Sequence, residues 1–96
     1  MLKITAENEP HGALLKLEGK LSGPWLAEAE PVWKEMRERV VPEVMTVDIS
    51  GVTYVDHEGT SLLGEMCRGG AGFRTSILTR HIVEKIYRES ESSRKG

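Results

Sequence analysis

The chain has 96 residues, which is enough for one domain of ordinary size. It carries 13 basic and 15 acidic residues, a formal net charge of −2, and only 5% aromatic residues. This composition excludes the basic footprint and the stacking platform that nucleic-acid-binding proteins use. No stretch approaches the roughly 20 apolar residues of a membrane span, and residues 1–5 lack the layout of a signal peptide. Together with a single cysteine, these features predict a cytoplasmic protein without direct membrane insertion.

The first two predicted elements are strands. Apolar and polar residues alternate over residues 2–6, which is the period of a strand with one buried face. A cluster of turn-forming residues at 8–12 leads into a second apolar run at 13–18. Two short runs joined by such a link predict an antiparallel hairpin, which a loop at 19–23 follows.

An amphipathic helix is predicted next, because apolar residues recur at steps of three and four. The stripe consists of Trp25, Ala29, Val32, Met36 and Val40. Pro31 lies inside the pattern, and its ring and missing N–H favour a break there. The prediction is therefore a short turn at 24–29 and a main helix at 31–40. Trp33 lies beside the stripe, where it either packs in the core or forms part of a contact surface.

A third strand and a second helix follow. Residues 44–49 form a largely apolar run that predicts a buried strand bounded by Ser50 and Gly51. After a short link at 52–55, Asp56 is a suitable N-cap for a helix that continues to about Arg68. Two glycines then provide the usual C-terminal stop.

The remainder predicts a fourth strand at 73–78 and a last helix capped by Thr79. Residues 90–96 are polar and predict a disordered tail after a single domain at 1–89. The predicted order is ββαβαβα, an α/β fold with a four-stranded mixed sheet on which the helices pack. Its last three strands are parallel, and its crossovers are right-handed.

The residues that usually carry catalysis or bind metals occur here without the necessary spacing. The three histidines have no second ligand at metal-binding spacing, so no metal or other cofactor is predicted. The glycine cluster at 69–72 follows a helix and precedes a strand, the reverse of the order in a phosphate-binding loop. His57 and Glu58 form a conceivable acid–base pair, but no third group accompanies them. The sequence therefore predicts a protein that is not an enzyme.

The junction from Asp56 to Thr60 joins the third strand to the second helix. Ligands and partners of α/β sheets usually bind beyond the carboxyl ends of the strands, where this junction lies. Capping explains part of the same pattern equally well, since Asp56 suits the N-cap and Glu58 suits the first turn. Both interpretations remain open on the residues alone.

A family resemblance bears on this junction. The segments that carry it are Gly19-Lys20-Leu21, Val47-Asp48-Ile49-Ser50-Gly51-Val52 and Val55-Asp56-His57-Glu58-Gly59 followed by Leu62-Leu63. Together they resemble the STAS domain of bacterial anti-sigma-factor antagonists, over roughly residues 12–80. The resemblance implies a STAS fold and a role in transcription regulation, through binding an anti-sigma factor or a related serine kinase.

The switch residue of that family is replaced in this chain. Antagonists typically carry Asp-Ser-Ser-Gly or Asp-Thr-Ser-Gly at the turn, and the partner phosphorylates a hydroxyl there. The acceptor position falls on Glu58 and the preceding hydroxyl position on His57, whereas Asp56 and Gly59 are retained. The resemblance thus implies signalling without the usual phosphorylation switch, with Glu58 either a permanent weak mimic or the mark of a partner that needs no switch.

The partner surface implied by the resemblance is the start of the second helix and the loop before the first helix. Its residues are Asp56, His57, Glu58, Gly59, Thr60, Lys20 and Ser22. Ser22 stands where the family often has an acidic residue. An alternative with the same residues is an accessory STAS subunit that docks onto the ATPase of a lipid-type ABC transporter. A homodimer through an exposed edge of the fourth strand is a further expectation.

Overall fold

The computed structural model describes residues 1–95, with side chains to residue 89. Its strands are β1 Leu2–Glu9, β2 Gly12–Leu21, β3 Met45–Val55 and β4 Gly72–Arg74, and its helices are α1 Leu26–Arg39, α2 His57–Gly69 and α3 Ile77–Lys95. Short 3-10 turns at Gly23–Trp25 and Pro42–Val44 precede α1 and β3. None of the described helices is long and apolar enough to cross a bilayer.

The strands form one mixed sheet in the order β1-β2-β3-β4. β1 and β2 pair antiparallel, whereas β2, β3 and β4 run parallel. The predicted α/β class, element order and mixed four-stranded sheet are therefore confirmed. Each crossover helix leads to the next strand along the sheet, so right-handed connections place α1 and α2 on the same face.

That face of the sheet forms the core. Along β2 the buried residues are Ala13, Leu15, Leu17 and Leu21, which alternate with the partly or fully exposed Leu14, Lys16, Glu18 and Lys20. The buried series joins residues of all three helices in one apolar cluster. The structure is thus a two-layer sandwich of helices on a sheet, with charged side chains on the outer face of the sheet.

The predicted break of the first helix at Pro31 is wrong. α1 runs without interruption through this proline, and a 3-10 turn precedes its first residue. Pro31 is exposed, as is Ala27, whose carbonyl would normally accept the missing hydrogen bond. Water can therefore satisfy that carbonyl, which lowers the cost of a proline inside the helix.

Trp33 provides the largest side chain of the core, and the packing interpretation of this residue is confirmed. Its side chain is 0% exposed, whereas Trp25 is only partly buried. The indole Nε1 is buried and has no hydrogen-bond partner among the described residues. The core thus tolerates an unpaired donor in exchange for a large apolar surface.

β3 continues past Ser50 and Gly51, so the predicted end of this strand is wrong. The pairing of β2 with β3 shifts register between Lys16 and Glu18, which leaves an extra residue of β3 at this point. Asp48 accepts hydrogen bonds from the N–H of Ser50 at 2.9 Å and from its hydroxyl at 2.6 Å. These bonds hold the irregular backbone within the strand.

The carboxyl of Asp48 lies on the outer face of the sheet, beside basic residues of β2 and β4 that favour its ionised form. Burial raises the pKa of its carboxyl, but the bonds from Ser50 and the charges of Arg74 and Lys16 outweigh burial and lower the pKa overall. Asp48 pairs in register with both of these basic residues. The carboxylate therefore stays ionised despite being buried.

The fourth strand is shorter than predicted, and the last helix starts earlier. Ser76, not Thr79, caps the N-terminus of α3: its hydroxyl accepts from the Thr79 N–H at 3.2 Å, while the Thr79 hydroxyl accepts from the Ser76 N–H at 2.9 Å. This reciprocal capping assigns Ile77 and Leu78 to the first helical turn, where they are 93% and 75% exposed. The prediction of a disordered tail concerns residues 90–96, whose side chains lie outside the described part of the chain. The described backbone ends with α3 at Lys95, so Gly96 lies outside it.

Candidate functional site

Asp56 is the N-cap of α2, as the sequence predicts. Its backbone is extended, and its Oδ1 accepts a hydrogen bond from the Gly59 N–H at 2.7 Å. The backbone carbonyl of Asp56 accepts from the N–H of Thr60 at 2.9 Å and from its hydroxyl at 3.0 Å. The first turn of α2 is therefore held by both the side chain and the backbone of one residue.

The same carboxylate also binds the loop between β2 and α1. Oδ2 of Asp56 accepts from the N–H of Gly23 at 3.0 Å, and the Asp56 N–H donates to the Leu21 carbonyl at 3.3 Å. Hydrogen bonds from the N–H groups of Gly59 and Gly23 lower the pKa of this carboxyl. Asp56 is thus a clamp between two segments that lie 33 residues apart in the chain.

Gly59 allows α2 to approach the end of β2. A Cβ at this position would overlap the carbonyl oxygen of Leu21 and lie 3.0 Å from Cγ1 of Val55. The glycine is buried, and the neighbouring atom is backbone that cannot move aside. Asp56 and Gly59 therefore have structural roles that place the first turn of α2 at the edge of the sheet.

The side chains between these two residues point outward. His57 and Glu58 are exposed, Ser61 is exposed one turn later, and Thr60 is half-buried. None of these exposed side chains takes part in holding the turn. The junction thus divides into a fixed frame and a free outer surface.

Two of the predicted site residues lie in the neighbouring strand and loop. Ser22 is half-buried and directly precedes Gly23, so the Asp56 clamp brings it to the start of α2. Lys20 is exposed and pairs with Tyr54 of β3, and it alternates with the buried Leu21. Strand alternation therefore directs Lys20 to the outer face of the sheet, away from the helix layer.

We name the exposed side chains of His57, Glu58 and Ser61 the ridge of α2, and a groove lies on either side of it. The first, which we name the α1–α2 groove, is lined by Glu30, Glu58, Ser61, Leu62, Glu65 and Arg68 and has a volume of about 310 Å³. The second, the α2–α3 groove, has a volume of about 500 Å³. It is lined by Val55, Asp56, His57, Thr60, Ser61, Gly64, Arg68, Lys85, Ile86 and Glu89. Three glutamates accompany Arg68 in the first groove, whereas two basic residues, Arg68 and Lys85, accompany two acidic residues in the second.

The Gly23 contact and the grooves were not predicted from the sequence. Asp56 has the local signature of an N-cap, but nothing near it in the chain indicates a second bond to Gly23. The only signal that related the two regions was the family resemblance, which assigns both to one partner surface. The grooves depend on how α2 packs against α1 and α3, and that packing has no local signature.

Comparisons with known proteins do not assign the chain to a family. A scan against models of protein families gives no match, and a search of curated proteins finds no similar sequence. Within the described residues, no group of three or more histidine, cysteine or acidic side chains is arranged to hold a metal ion. The interpretation of the site therefore depends on its own residues and geometry.

The double role of Asp56 predicts a defined acid dependence of stability. Asparagine retains one acceptor for Gly59 but presents an amide donor to the Gly23 N–H, so Asp56→Asn should destabilise the fold at neutral pH. Because the folded pKa is lowered, the stabilisation by the carboxylate is complete above the unfolded value of about 3.9 and is lost as the pH falls through the folded value.

The measurement is urea denaturation of both proteins from neutral pH down to about pH 3. The difference in unfolding free energy should be constant near neutrality and should shrink below about pH 4. Since Asp48 titrates in both proteins, the difference isolates Asp56. A difference that does not change with pH would show that the ionised carboxylate contributes nothing to stability.

Proposed function

We propose that this chain is a non-enzymatic, cytoplasmic regulatory domain of the STAS type. It binds a partner of the anti-sigma-factor or serine-kinase type through the Asp56–Gly59 turn and the exposed ridge of α2. The observation that supports the proposal is that the residues of this turn fall into two groups, one structural and one exposed. Asp56 and Gly59 hold the frame, while His57 and Glu58 remain on the surface. The side chains of His57 and Glu58 are held at fixed positions and have no part in holding the turn, so they are available to contact another protein.

The absence of a hydroxyl at position 58 supports an interaction without the usual phosphorylation switch. Its carboxylate is exposed in the first turn of α2, at the position that the resemblance aligns with the phosphoacceptor. A glutamate carries a charge of about −1, compared with about −1.5 to −2 for phosphoserine. A carboxylate cannot accept a stable phosphoryl group in this role, so phosphorylation at position 58 cannot release the partner. We therefore propose binding that kinase activity at this position does not reverse.

The first experiment identifies the partner by its contact with the turn. A photo-crosslinking amino acid at position 58 or 61, on the ridge of α2, should capture one protein in the native cell. The same group at Lys16, on the outer face of the sheet, serves as the control and should not capture it. Capture of a transporter ATPase at positions 58 and 61 would replace the anti-sigma-factor proposal with the transporter alternative.

Charge reversal then tests the contact quantitatively. Glu58→Lys should weaken binding of the captured partner about tenfold, because it places a positive charge where the partner meets a negative one. Glu38→Lys makes the same charge change on the exposed surface of α1 and should leave the affinity unchanged. The melting temperature of each variant shows whether a loss of binding comes from unfolding. Equal affinity of Glu58→Lys and the unmodified chain would contradict the assigned surface.

A further inference from the structure

The α2–α3 groove has the dimensions of a small-molecule site. Its volume of about 500 Å³ lies within the range of about 300–1,000 Å³ that is typical of ligand pockets. Ile86 and Gly64 are buried at its floor, and Val55 is half-buried beside them. Ligand pockets usually combine such an apolar floor with a few polar groups, and here the polar groups come from both helices.

Arg68 reaches into this groove along the surface of α2. Its Nη1 lies 3.1 Å from the position that a Cβ of Gly64 would occupy, so the guanidinium is folded back over the glycine. Within the part of the chain whose side chains are described, the ion pairs are Lys16–Glu18, Arg39–Glu35 and Arg80–Glu84. Arg68 therefore forms no ion pair with a described carboxylate, although it lines both grooves beside α2.

The α2–α3 groove is less acidic than the α1–α2 groove. Lys85 of α3 and Arg68 of α2 line it together with the carboxylates of Asp56 and Glu89. Both carboxylate oxygens of Asp56 already accept backbone N–H groups. In the α1–α2 groove, three glutamates accompany Arg68. An anionic ligand would therefore enter the α2–α3 groove rather than its neighbour.

We propose that the α2–α3 groove binds a small organic phosphate. The planar guanidinium of Arg68 offers parallel donors to two phosphate oxygens, and Lys85 offers a point charge from the facing helix. The organic part lies against Val55 and Ile86. This inference does not depend on the proposed partner, because its central residues, Arg68 and Lys85, lie outside the Asp56–Gly59 turn, although Asp56 and His57 of the turn also line the groove.

The test is a titration of the nitrogen-15-labelled full chain with phenyl phosphate, followed by amide chemical shifts. At about pH 7.5 the probe is mostly dianionic, since the second phosphate pKa is about 6. Saturable shifts should appear at Ser61, Gly64 and Ile86. Inorganic phosphate should bind more weakly at the same place, because it cannot cover the apolar floor. Equal binding of the two probes would overturn the proposed site for the organic part.

Substitutions then separate the groove from the rest of the surface. Arg68→Gln and Lys85→Gln should each weaken phenyl phosphate binding about tenfold, because each removes one charge-assisted contact. Lys34→Gln removes a lysine from the exposed surface of α1 and should have no effect. The proposal is overturned if phenyl phosphate causes no saturable shift at millimolar concentration, or if the Lys34 variant loses as much affinity as the other two.

A third variant distinguishes loss of the site from loss of the fold. Gly64→Ala places a methyl group against the Arg68 guanidinium and should displace it from the groove. Alanine also favours the helix more than glycine does, so the melting temperature should rise while phosphate binding falls. Unchanged binding in this variant would contradict the role assigned to the folded-back guanidinium.

Discussion

Gly59→Ala should destabilise the domain by about 3 kcal/mol, at the upper end of the usual cost of overpacking. The added methyl group would overlap the carbonyl oxygen of Leu21, which is backbone at the end of β2 and cannot rotate away. Relief requires α2 to move from the sheet, and that movement would also strain the bonds of Asp56 to Gly59 and Gly23. The unfolding free energy from urea denaturation provides the measurement.

Gly64→Ala is the matched control for this variant. Both glycines are buried in α2, but the atom nearest to a Cβ at position 64 is the end of the flexible Arg68 side chain. That side chain can move, so alanine should stabilise the helix by up to about 1 kcal/mol. If the free energy of unfolding falls in Gly59→Ala and rises in Gly64→Ala, contact with the end of β2 is established as the reason for glycine at position 59. A similar loss of unfolding free energy in both variants would contradict this explanation.

Trp33→Ala should lower the free energy of unfolding by about 3–5 kcal/mol, the range found when large aromatic side chains are removed from cores. Trp33 is fully buried in the cluster that joins the helices to the sheet. Since a domain of this kind has a total stability of about 5–15 kcal/mol, the alanine variant should lose a large fraction of it, and its melting temperature should fall by at least about 12 °C. Circular dichroism during thermal denaturation measures the effect.

Trp33→Phe should cost much less, about 1 kcal/mol. Phenylalanine loses part of the indole volume but also removes Nε1, a buried donor with no described partner. The release of an unpaired buried donor offsets part of the lost packing. If the phenylalanine variant is as unstable as the alanine variant, the donor is satisfied in solution, for example by a buried water molecule.

The sequence predicts the elements whose signals are local. The start of α2 follows from Asp56, whose side chain caps the helix, and its end follows from Gly70, whose left-handed backbone (φ 108°) glycine favours. The hairpin of β1 and β2 follows from alternation and a turn cluster. In each case the residues that decide the structure are neighbours in the chain.

The wrong predictions concern features that distant residues decide. Ser50 and Gly51 have the composition of a strand end, but pairing with β2 keeps them within β3 as an irregularity. Ile77 and Leu78 have the composition of a strand, but the reciprocal cap between Ser76 and Thr79 draws them into α3. At the candidate site, the position of the turn was predicted, whereas its bond to the loop before α1 was not.

The Asp56 clamp also has a consequence for the order in which the molecule folds. Its bond to Gly23 connects residues on either side of α1 and β3, so it forms only when the β2–α1–β3 crossover is complete. Contacts between residues so far apart in sequence are slow to form, because the intervening loop must close first. The start of α2 therefore reaches its final position only together with the pairing of β2 and β3. A partner that contacts the start of α2 would therefore distinguish chains in which β2 and β3 have paired from chains in which they have not.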